Sequence, residues 1–382
     1  MKIVFTGGGT GGHFFPIIAV AQELNDMVEE GHYAHVEMFY FSTEAYDEAS
    51  LFEQHMEFVE IPSGKLRVNP SITSMFKNAI DMFGVAWGTV TAVWKLYKIF
   101  PDVVFGKGGY ASFPTLFAAR ILGIPVIIHE SDSVVTRTNS IVSKWAKRIA
   151  VSYAESAESF DKKVRDKIAH TGQPIRREIA HPIHEGAMEY LKLEQDLPVI
   201  MIVGGSQGAQ LINNVVWDIV PELIQKYQVI HQVGSKNIEA MQNLAITELS
   251  DNQLKHRYKP FAFLNPLATS MSAGVADLVI SRAGSQLFEI ASWGIPSIII
   301  PRTHSANNHN MSNAYIYAST GACQVVEEKN LAPHVLLQEI ERVLDNKEVS
   351  DRMKQATKGF AQPNAARIIA QEILDMALSH EE

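Results

Sequence analysis

The sequence is poor in cysteine and has no long apolar segment. Cys323 is the single cysteine among 382 residues, so an intrachain disulfide is impossible and a reducing cytosol is the expected compartment. The stretch that most resembles a membrane segment, residues 82–94, is shorter than the roughly 20 residues of a spanning helix. Met1 and Lys2 lead directly into a strand-like run, so no signal peptide is expected. We therefore expect a soluble or peripheral membrane protein.

Positive charge is also scarce. The formal net charge is -9 at pH 7, which argues against a general nucleic-acid-binding protein. The sequence also lacks an Asp-x-Asp pair, with which many sugar transferases hold a divalent ion on a diphosphate. We therefore predict no metal in the active site and no other cofactor. Backbone amides, a helix dipole and cationic side chains would stabilise a leaving diphosphate instead.

Short apolar runs alternate with helical patterns twice along the chain. This alternation predicts an α/β fold with two doubly wound parallel-sheet halves. The predicted strands are 2–6, 35–42, 102–106 and 124–129 in the first half and 197–203, 228–233, 278–281 and 296–301 in the second. We predict domains at 1–172 and 173–363, with a hinge in 172–196. A last helix at 364–379 could belong to either domain.

Each half contains one glycine loop between a strand and a helix. The first loop runs from Gly7 to His13 and fits G-x-G-x-x-G, so a dinucleotide fold with Glu44 on the ribose is one interpretation. The second runs from Gly204 to Ala209. Glycines let amides approach an anion, and a helix N-terminus adds positive potential. Two such loops favour two phosphate-bearing ligands, although the second could serve only tight strand–helix packing.

A set of motifs in a fixed order resembles the MurG family of N-acetylglucosaminyltransferases. The motifs are Gly8–His13 with Pro16, Gly108–Pro114, His129-Glu130, Thr171–Arg176, Gly204–Ala209, Ser281–Gly284 with Glu289 and Gly294–Pro296, and Asn308–Asn310 with Asn313-Ala314. The resemblance implies the GT-B architecture, in which two Rossmann-like domains flank a cleft. It also implies inverting transfer of N-acetylglucosamine from UDP-GlcNAc to the 4-hydroxyl of the muramyl sugar of lipid I, giving lipid II in peptidoglycan synthesis.

The resemblance assigns binding roles to individual residues. Glu289 is expected to accept hydrogen bonds from the ribose hydroxyls, although it could be only a first-turn helix acid. The other expected donor-binding residues are Thr10, Gly11, Gly12, Asp132, Arg176, Ser206, Leu264, Ser285, Gln286, Leu287 and Asn310. The expected loop for the acceptor diphosphate comprises Gly9, Thr10, Gly11, Gly12 and His13.

Three residues are candidates for the base that deprotonates the acceptor hydroxyl. His13 has a suitable ordinary pKa and opens a helix at the predicted cleft, but its ring could instead only bind phosphate. Glu130 and Tyr110 are the other two candidates. The sequence leaves all three open.

Several positions depart from the family pattern. Asp132 stands where the family has Asn, Gln173 replaces another Asn, and Asn310 replaces a longer Gln. Asp132 can accept but not donate a hydrogen bond while ionised, and it brings negative charge toward an anionic ligand. These departures put the identity of the donor sugar in doubt more than the fold.

An apolar and basic segment between residues 65 and 98 predicts peripheral docking on anionic lipid. Its expected docking residues are Phe76, Ile80, Phe83, Trp87, Lys77 and Lys95, within a wider cluster that includes Met75, Trp94, Leu96, Lys65, Arg67 and Lys98. The alternative is an ordinary core helix pair. By resemblance, the protein would lie at the cytoplasmic face of the inner membrane, with UDP-GlcNAc, lipid I and anionic lipids as its partners.

Other functions are compatible with the same fold. A UDP-GlcNAc 2-epimerase-like enzyme would turn over UDP-GlcNAc without an acceptor. A related glycolipid transferase would use another lipid acceptor. A binding subunit that needs a partner for catalysis is disfavoured, since both glycine loops and Glu289 lie in one chain.

Overall fold

The computed structural model describes residues 1–31, 35–65, 72–204, 209–303 and 309–381. The chain divides into two compact units. Unit 1 comprises Met1–Arg176 together with Gln362–Glu382, and unit 2 comprises Arg177–Ala361. The unit boundary lies at Arg176, and the terminal segment from Gln362 belongs to unit 1.

Each unit is built on one fully parallel sheet. In unit 1 the strands are β1 (Lys2–Thr6), β2 (Glu37–Ser42), β3 (Met56–Glu60), β4 (Val103–Gly106), β5 (Val126–Glu130), β6 (Arg148–Val151) and β7 (Ile168–His170). In unit 2 they are β8 (Val199–Val203), β9 (Gln228–Gln232), β10 (Tyr258–Phe261), β11 (Leu278–Ser281), β12 (Ser297–Ile299) and β13 (Cys323–Val325). The near-continuous apolar sequences of the central strands β1, β4, β8 and β11 suit strands that are covered on both faces.

Helices connect the strands and cover the sheets. They are α1 (Gly11–Gly31), α2 (Glu48–Glu53), α3 (Ile72–Ile99), α4 (Phe113–Leu122), α5 (Arg137–Val142), α6 (Ser156–Ser159), α7 (Arg177–Ala180), α8 (Ala187–Tyr190), α9 (Gln210–Lys226), α10 (Ile238–Glu248), α11 (Pro266–Val275), α12 (Gln286–Trp293), α13 (His309–Ser319), α14 (Pro333–Leu344), α15 (Lys347–Thr357) and α16 (Ala365–Glu381).

In both sheets, the chain adds strands first on one side of the first strand and then on its other side. The order is β3-β2-β1-β4-β5-β6-β7 in unit 1 and β10-β9-β8-β11-β12-β13 in unit 2. Connections from β1 and β4 therefore leave toward opposite faces, as do those from β8 and β11. In doubly wound sheets, ligands bind at the carboxyl ends of the strands at this switch point.

The terminal helix α16 completes the core of unit 1. Ile369, Ile373 and Ala377 recur at helical spacing and are buried with α1 against one face of the sheet. The Arg148 guanidinium lies 2.9 Å from the carboxylate of Glu372, which ties the helix to the start of β6.

Helix α1 begins at Gly11, where the Thr10 carbonyl accepts from the amides of His13 and Phe14 at 3.1 and 3.2 Å. Of the predicted hinge, residues 172–176 belong to unit 1 and residues 177–196 to unit 2. In that segment, the carbonyl of buried Ile179 accepts from the indole of Trp293 at 2.7 Å.

Candidate active site

In unit 1, the first glycine loop touches a second loop, which contains Gly108 and Gly109 and follows β4, at the β1–β4 switch point. Gly9 and Gly109 have φ values of +82° and +81°, which L side chains rarely adopt. A Cβ atom on Gly109 would lie 3.0 Å from the carbonyl oxygen of Gly8 and 3.4 Å from the ring of His13. A Cβ atom on Gly9 would lie 2.7 Å from the ring of Tyr110. Only glycines allow the loops after β1 and β4 to approach this closely.

His13 lies in the first turn of α1, beside these loops. Its Nδ1 is 2.9 Å from the Thr10 hydroxyl oxygen. Burial, and then the charge of Lys107, lower the pKa of His13 to about 4, while Asp132 and a hydrogen bond with Gly8 oppose the shift. The imidazole is therefore neutral at pH 7, which is the form that can accept a proton.

Lys107 is a site residue that the sequence did not single out. It directly follows β4, its amide donates to the Thr6 carbonyl at 2.8 Å, and its ammonium donates to the Ser131 hydroxyl. The residue is 1% exposed. Burial lowers the pKa of Lys107, and Glu130 and Asp132 oppose that shift. Its position between a buried strand and Gly108 was the available signal in the sequence.

Glu130 is the last residue of β5, and its buried carboxylate accepts four hydrogen bonds. Its Oε2 accepts from the amide and hydroxyl of Thr136 and from the Asn139 side chain, and its Oε1 accepts from the Asp132 amide at 3.2 Å. Burial raises the pKa of Glu130, with Asp132 adding to the shift. These bonds fix the loop between β5 and α5, which favours a positioning role for Glu130.

The adjacent His129 is also held within the protein. Its Nε2 lies 3.0 Å from the carbonyl oxygen of Gly172. Burial lowers the pKa of His129 well below its ordinary value, so it is neutral. Gln173, one of the departures from the family pattern, is buried and accepts from the Ser152 hydroxyl at 2.8 Å. These contacts connect the end of β5 to the segment after β7.

An aromatic and cationic cluster lies at the start of α1. The Arg176 guanidinium is 3.8 Å from the ring centroid of Phe15, and the Phe15 and Tyr46 rings meet edge to face at 5.7 Å. A hydrogen bond joins the Tyr46 phenol to the backbone of Gly11. Arg176 therefore places a cation beside the helix N-terminus, where anions are already favoured.

In unit 2, the loop between β11 and α12 lies at the corresponding switch point. Ser285 precedes α12, Gln286 begins it, and Glu289 lies in its first turn. The Ser281 hydroxyl donates to the Gln286 side chain at 3.1 Å, and the Asn313 amide donates to the Ala283 carbonyl at 3.2 Å. These bonds fix a helix N-terminus at the carboxyl end of β11.

A partly buried ion pair also holds the loop between β11 and α12 in place. The Arg282 guanidinium lies 2.7 Å from Glu328 and also donates to the Ile300 carbonyl at 3.0 Å. Glu328 in turn accepts from the amide and hydroxyl of Thr303 at 2.8 and 2.6 Å. Sequence reasoning missed Glu328, because its distance along the chain from Arg282 gives no local signal.

The predicted donor-binding residues of unit 2 are only partly described. Leu287 is buried, and the Leu264 amide donates to the Gln232 side chain at 3.0 Å while its carbonyl accepts from the Thr269 hydroxyl at 3.2 Å. A ligand contact through that amide would therefore share or displace Gln232. Asn310 lies in the first turn of α13. Ser206 and Asn308 lie outside the described residues.

Known families and relatives match almost the whole chain. The N-terminal domain model of glycosyltransferase family 28 matches residues 3–151, and the C-terminal domain model matches residues 199–371. A protein of Treponema denticola named UDP-N-acetylglucosamine--N-acetylmuramyl-(pentapeptide) pyrophosphoryl-undecaprenol N-acetylglucosamine transferase is 34% identical, over 96% of both chains. The chain belongs to glycosyltransferase family 28. The predicted family resemblance is thereby confirmed.

Solved structures of similar fold differ in their sequence identity to this chain. A crystal structure of Acinetobacter baumannii MurG matches this family 28 chain with a TM-score of 0.71 at 26% identity, covering 98% of this chain and 99% of the other. A UDP-GlcNAc 2-epimerase of Neisseria meningitidis, bound to UDP-GlcNAc, matches with a TM-score of 0.67 at 14% identity, covering 98% and 100%. The epimerase therefore shares the fold alone. The predicted fold class, two Rossmann-like parallel-sheet domains of the GT-B type, is confirmed.

The predicted docking segment presents one exposed apolar stripe on helix α3. The members of this α3 stripe lie three or four residues apart: Ile80, Phe83, Trp87, Val90, Trp94 and Tyr97. Phe83 is 73% exposed and Trp87 58% exposed, which contradicts an ordinary core helix pair. The Lys98 ammonium lies 3.6 Å from the Trp94 ring centroid, and Lys95 is partly exposed.

Other members of the predicted docking cluster are buried or lie outside the described residues. Leu96 is fully buried, so its inclusion in the cluster was wrong. It lies two residues from Trp94 and therefore faces the sheet rather than solvent. The side chains of Met75, Phe76 and Lys77 and all of Arg67 lie outside the described residues. None of the helices in the described part of the chain is long and apolar enough to span a membrane.

Proposed function

We propose that this protein transfers N-acetylglucosamine from UDP-GlcNAc to lipid I in peptidoglycan synthesis. The observation that carries the proposal is identity of about a third, over nearly the full length of both chains, to proteins named for that reaction. Besides the Treponema protein, a Bacillus cereus transferase of the same name, numbered 2, is 32% identical over 97% of this chain and 99% of its own.

Unit 2 is the proposed donor-binding unit. Glu289 would accept hydrogen bonds from the ribose hydroxyls, and amides around Ser285–Leu287 would hold the diphosphate at the N-terminus of α12. Ser206, the backbone of Leu264, Arg176 and Asn310 are the further donor contacts in this proposal. The bonds that fix the β11–α12 loop support it, since a preorganised N-terminus binds an anion without further ordering.

Unit 1 is the proposed acceptor-binding unit. The loop from Gly9 to His13 combines a close backbone approach with the N-terminus of α1, which suits the acceptor diphosphate. Thr10, Gly11, Gly12 and Asp132 are also proposed as donor-binding residues. Tyr110 borders this loop at Gly9. The four hydrogen bonds to Glu130 support a positioning role for that residue.

The proposed chemistry is a single displacement with inversion. His13, neutral at pH 7, takes the proton from the 4-hydroxyl of the muramyl sugar. The freed oxygen forms a bond to the anomeric carbon, and the bond from that carbon to the diphosphate breaks, so that UDP leaves with the electron pair. The product is lipid II. Backbone amides, helix N-termini and cationic side chains stabilise the leaving diphosphate without a metal ion or other cofactor.

The proposed location is the cytoplasmic face of the inner membrane. The α3 stripe, with Lys95 and Lys98 beside it, would insert its aromatic and aliphatic side chains at the lipid interface. Cations near an anionic surface offset the repulsion that a net charge of -9 produces. A lipid-linked acceptor would then be within reach of unit 1.

The test is incubation of the purified chain with radiolabelled UDP-GlcNAc and lipid I in detergent. Transfer of label to the lipid fraction is expected, and digestion of the product would identify the linkage to the 4-hydroxyl. A parallel incubation without lipid I tests the epimerase alternative, since an epimerase converts UDP-GlcNAc alone. A binding subunit would show neither reaction, and transfer to a different lipid would identify a related glycolipid transferase.

A further inference from the structure

The carboxylate of Glu328 joins segments that follow three adjacent strands of unit 2. Arg282 follows β11, Thr303 lies after β12, and Glu328 lies after β13. The Arg282 guanidinium lies 2.7 Å from Oε1 of Glu328, and the amide and hydroxyl of Thr303 donate to Oε2 at 2.8 and 2.6 Å. Each oxygen of the carboxylate therefore holds a different segment of the chain, at the edge of the sheet where ligands bind in such folds.

This network is largely shielded from solvent. The side chains of Arg282 and Glu328 are 13% and 17% exposed. Burial raises the pKa of Glu328, but the bonds from Thr303 and the charge of Arg282 lower it more, so the pKa lies below its ordinary value and the carboxylate is ionised at pH 7. A buried ion pair adds little net stability compared with apolar side chains of similar volume. We therefore attribute to this network the geometry that it fixes.

Two further bonds hold the Arg282 side of the network. The guanidinium also donates to the carbonyl of buried Ile300 at 3.0 Å, directly after β12. The side-chain amide of Asn313, on α13, donates to the carbonyl of Ala283 at 3.2 Å. Of these bonds, only those to Glu328 reach Thr303.

Both segments that Glu328 holds lead to proposed donor contacts. The amides that would hold the diphosphate begin three residues beyond Arg282, at the N-terminus of α12. Thr303 precedes α13 along the chain, and the first turn of α13 carries Asn310. The carboxylate thus lies between the segment proposed for the diphosphate and the segment that leads to the residue proposed for the donor sugar.

We propose that Glu328 is a positioning residue of the donor site, which holds the diphosphate-binding loop and the segment leading to the sugar contact at a fixed separation. This inference rests on the proposed function of unit 2 as the donor-binding unit. Glu328 itself touches neither the donor nor the acceptor. Its carboxylate orders both segments before UDP-GlcNAc binds, so that less conformational freedom is lost on binding.

Glu328→Gln tests this role, because an amide cannot replace the carboxylate here. Donors face both carboxylate oxygens, whereas Gln offers one oxygen and an NH2 group that only donates. One of the two segments therefore loses its partner. We expect binding of UDP and UDP-GlcNAc to weaken about tenfold, and binding of uridine, which lacks the diphosphate and the sugar, by less than about twofold. Glu348→Gln, at an exposed glutamate of α15, is the control.

Thr303→Val separates the sugar side of the site from the diphosphate side. The substitution keeps the shape of the side chain and the backbone amide, and it removes one of the two bonds from Thr303 to Glu328. We expect UDP-GlcNAc binding to weaken about threefold and UDP binding to stay nearly unchanged. Combined with Glu328→Gln, it should weaken UDP-GlcNAc binding no further than Glu328→Gln alone, because both changes break the same link.

Equilibrium binding of uridine, UDP and UDP-GlcNAc to the full-length protein, with denaturant unfolding of each variant, gives the result. Equal weakening of all three ligands, unchanged UDP affinity in folded Glu328→Gln, or additive losses in the double variant would overturn the proposal. If Glu328→Gln does not fold, Thr303→Val decides: selective loss of UDP-GlcNAc supports the proposal, and equal loss of UDP overturns it.

The wild type separates this inference from the proposed function. A wild type that binds UDP but transfers no sugar to lipid I would overturn the proposed function, while the differences among the variants would still support the role of Glu328. A wild type that binds no UDP would overturn the donor site and this inference together.

Discussion

The amide and the hydroxyl of Thr136 both donate to the same carboxylate oxygen of Glu130, each at 2.8 Å. The Asn139 side chain adds a third bond to that oxygen at 3.0 Å. A carboxylate that accepts this many hydrogen bonds fixes the conformation of the segment between β5 and α5. The carboxylate is thereby held as a structural element of this segment.

Glu130→Ala should therefore reduce stability more than a surface substitution does. Buried donors without a partner cost about 1–3 kcal/mol each, so we expect a total loss of roughly 2–4 kcal/mol after local relaxation. Denaturant unfolding measures this loss, and Glu155→Ala, at an exposed glutamate of the same unit, is the control. Unchanged stability with activity reduced more than about a thousandfold would instead point to Glu130 as the base.

The donor site gives a prediction about affinity. Glu289→Ala should weaken UDP binding by roughly 1–3 kcal/mol, because the ribose hydroxyls lose a charged acceptor. The melting temperature should change little, since Glu289 is at the partly exposed start of α12. Titration calorimetry measures the affinity, with exposed Glu222→Ala as the matched control. Equal UDP affinity in both variants would refute the ribose assignment.

The assignment of the base gives a prediction about rate. His13→Asn should lower kcat by about 10²–10⁴ with a modest change in donor KM, because only the proton transfer is lost. Steady-state kinetics with saturating lipid I would measure both constants. A decrease smaller than about fivefold would transfer the role to Glu130 or Tyr110. A large increase in acceptor KM with normal kcat would indicate that His13 only binds phosphate.

The α3 stripe gives a prediction about the membrane. Replacing Phe83 and Trp87 with Ser should weaken binding to anionic vesicles and activity on full-length lipid I, and activity on a short-chain acceptor should be largely spared. Binding of the wild type should decrease with salt without vanishing, because screening weakens the Lys contribution but not apolar burial. Phe52→Ser is the control, since Phe52 is 82% exposed on α2, away from the stripe. Vesicle binding equal to that of the wild type would place the docking surface elsewhere.

Metal independence is the last expectation. Activity should persist in excess EDTA, because amides, helix N-termini and cations are proposed to stabilise the leaving diphosphate. Radiolabel transfer with and without the chelator checks this expectation. A complete loss that magnesium or manganese restores would contradict it.

The sequence by itself determined the features that depend on neighbours along the chain. The apolar run of β1 specifies a buried strand, because a continuous run suits a sheet that is covered on both faces. The glycine loop after β1 was also readable from the sequence, since a position such as Gly9 needs a conformation that other residues rarely adopt. The regular alternation of strands with helices was enough to predict two doubly wound sheets.

Only the tertiary structure decided which side chains meet. Trp94 and Leu96 have similar apolar character, yet one is exposed and the other buried, because two residues along a helix point to different faces and the packed sheet selects one of them. Arg282 and Glu328 pair across a long stretch of chain, which no local pattern indicates. In the sequence, Lys107 is followed by two glycines, and no local pattern indicates that its side chain is buried. The parallel order of β1, β4 and β5 places it at the switch point of the sheet, where it is buried and donates to the Ser131 hydroxyl.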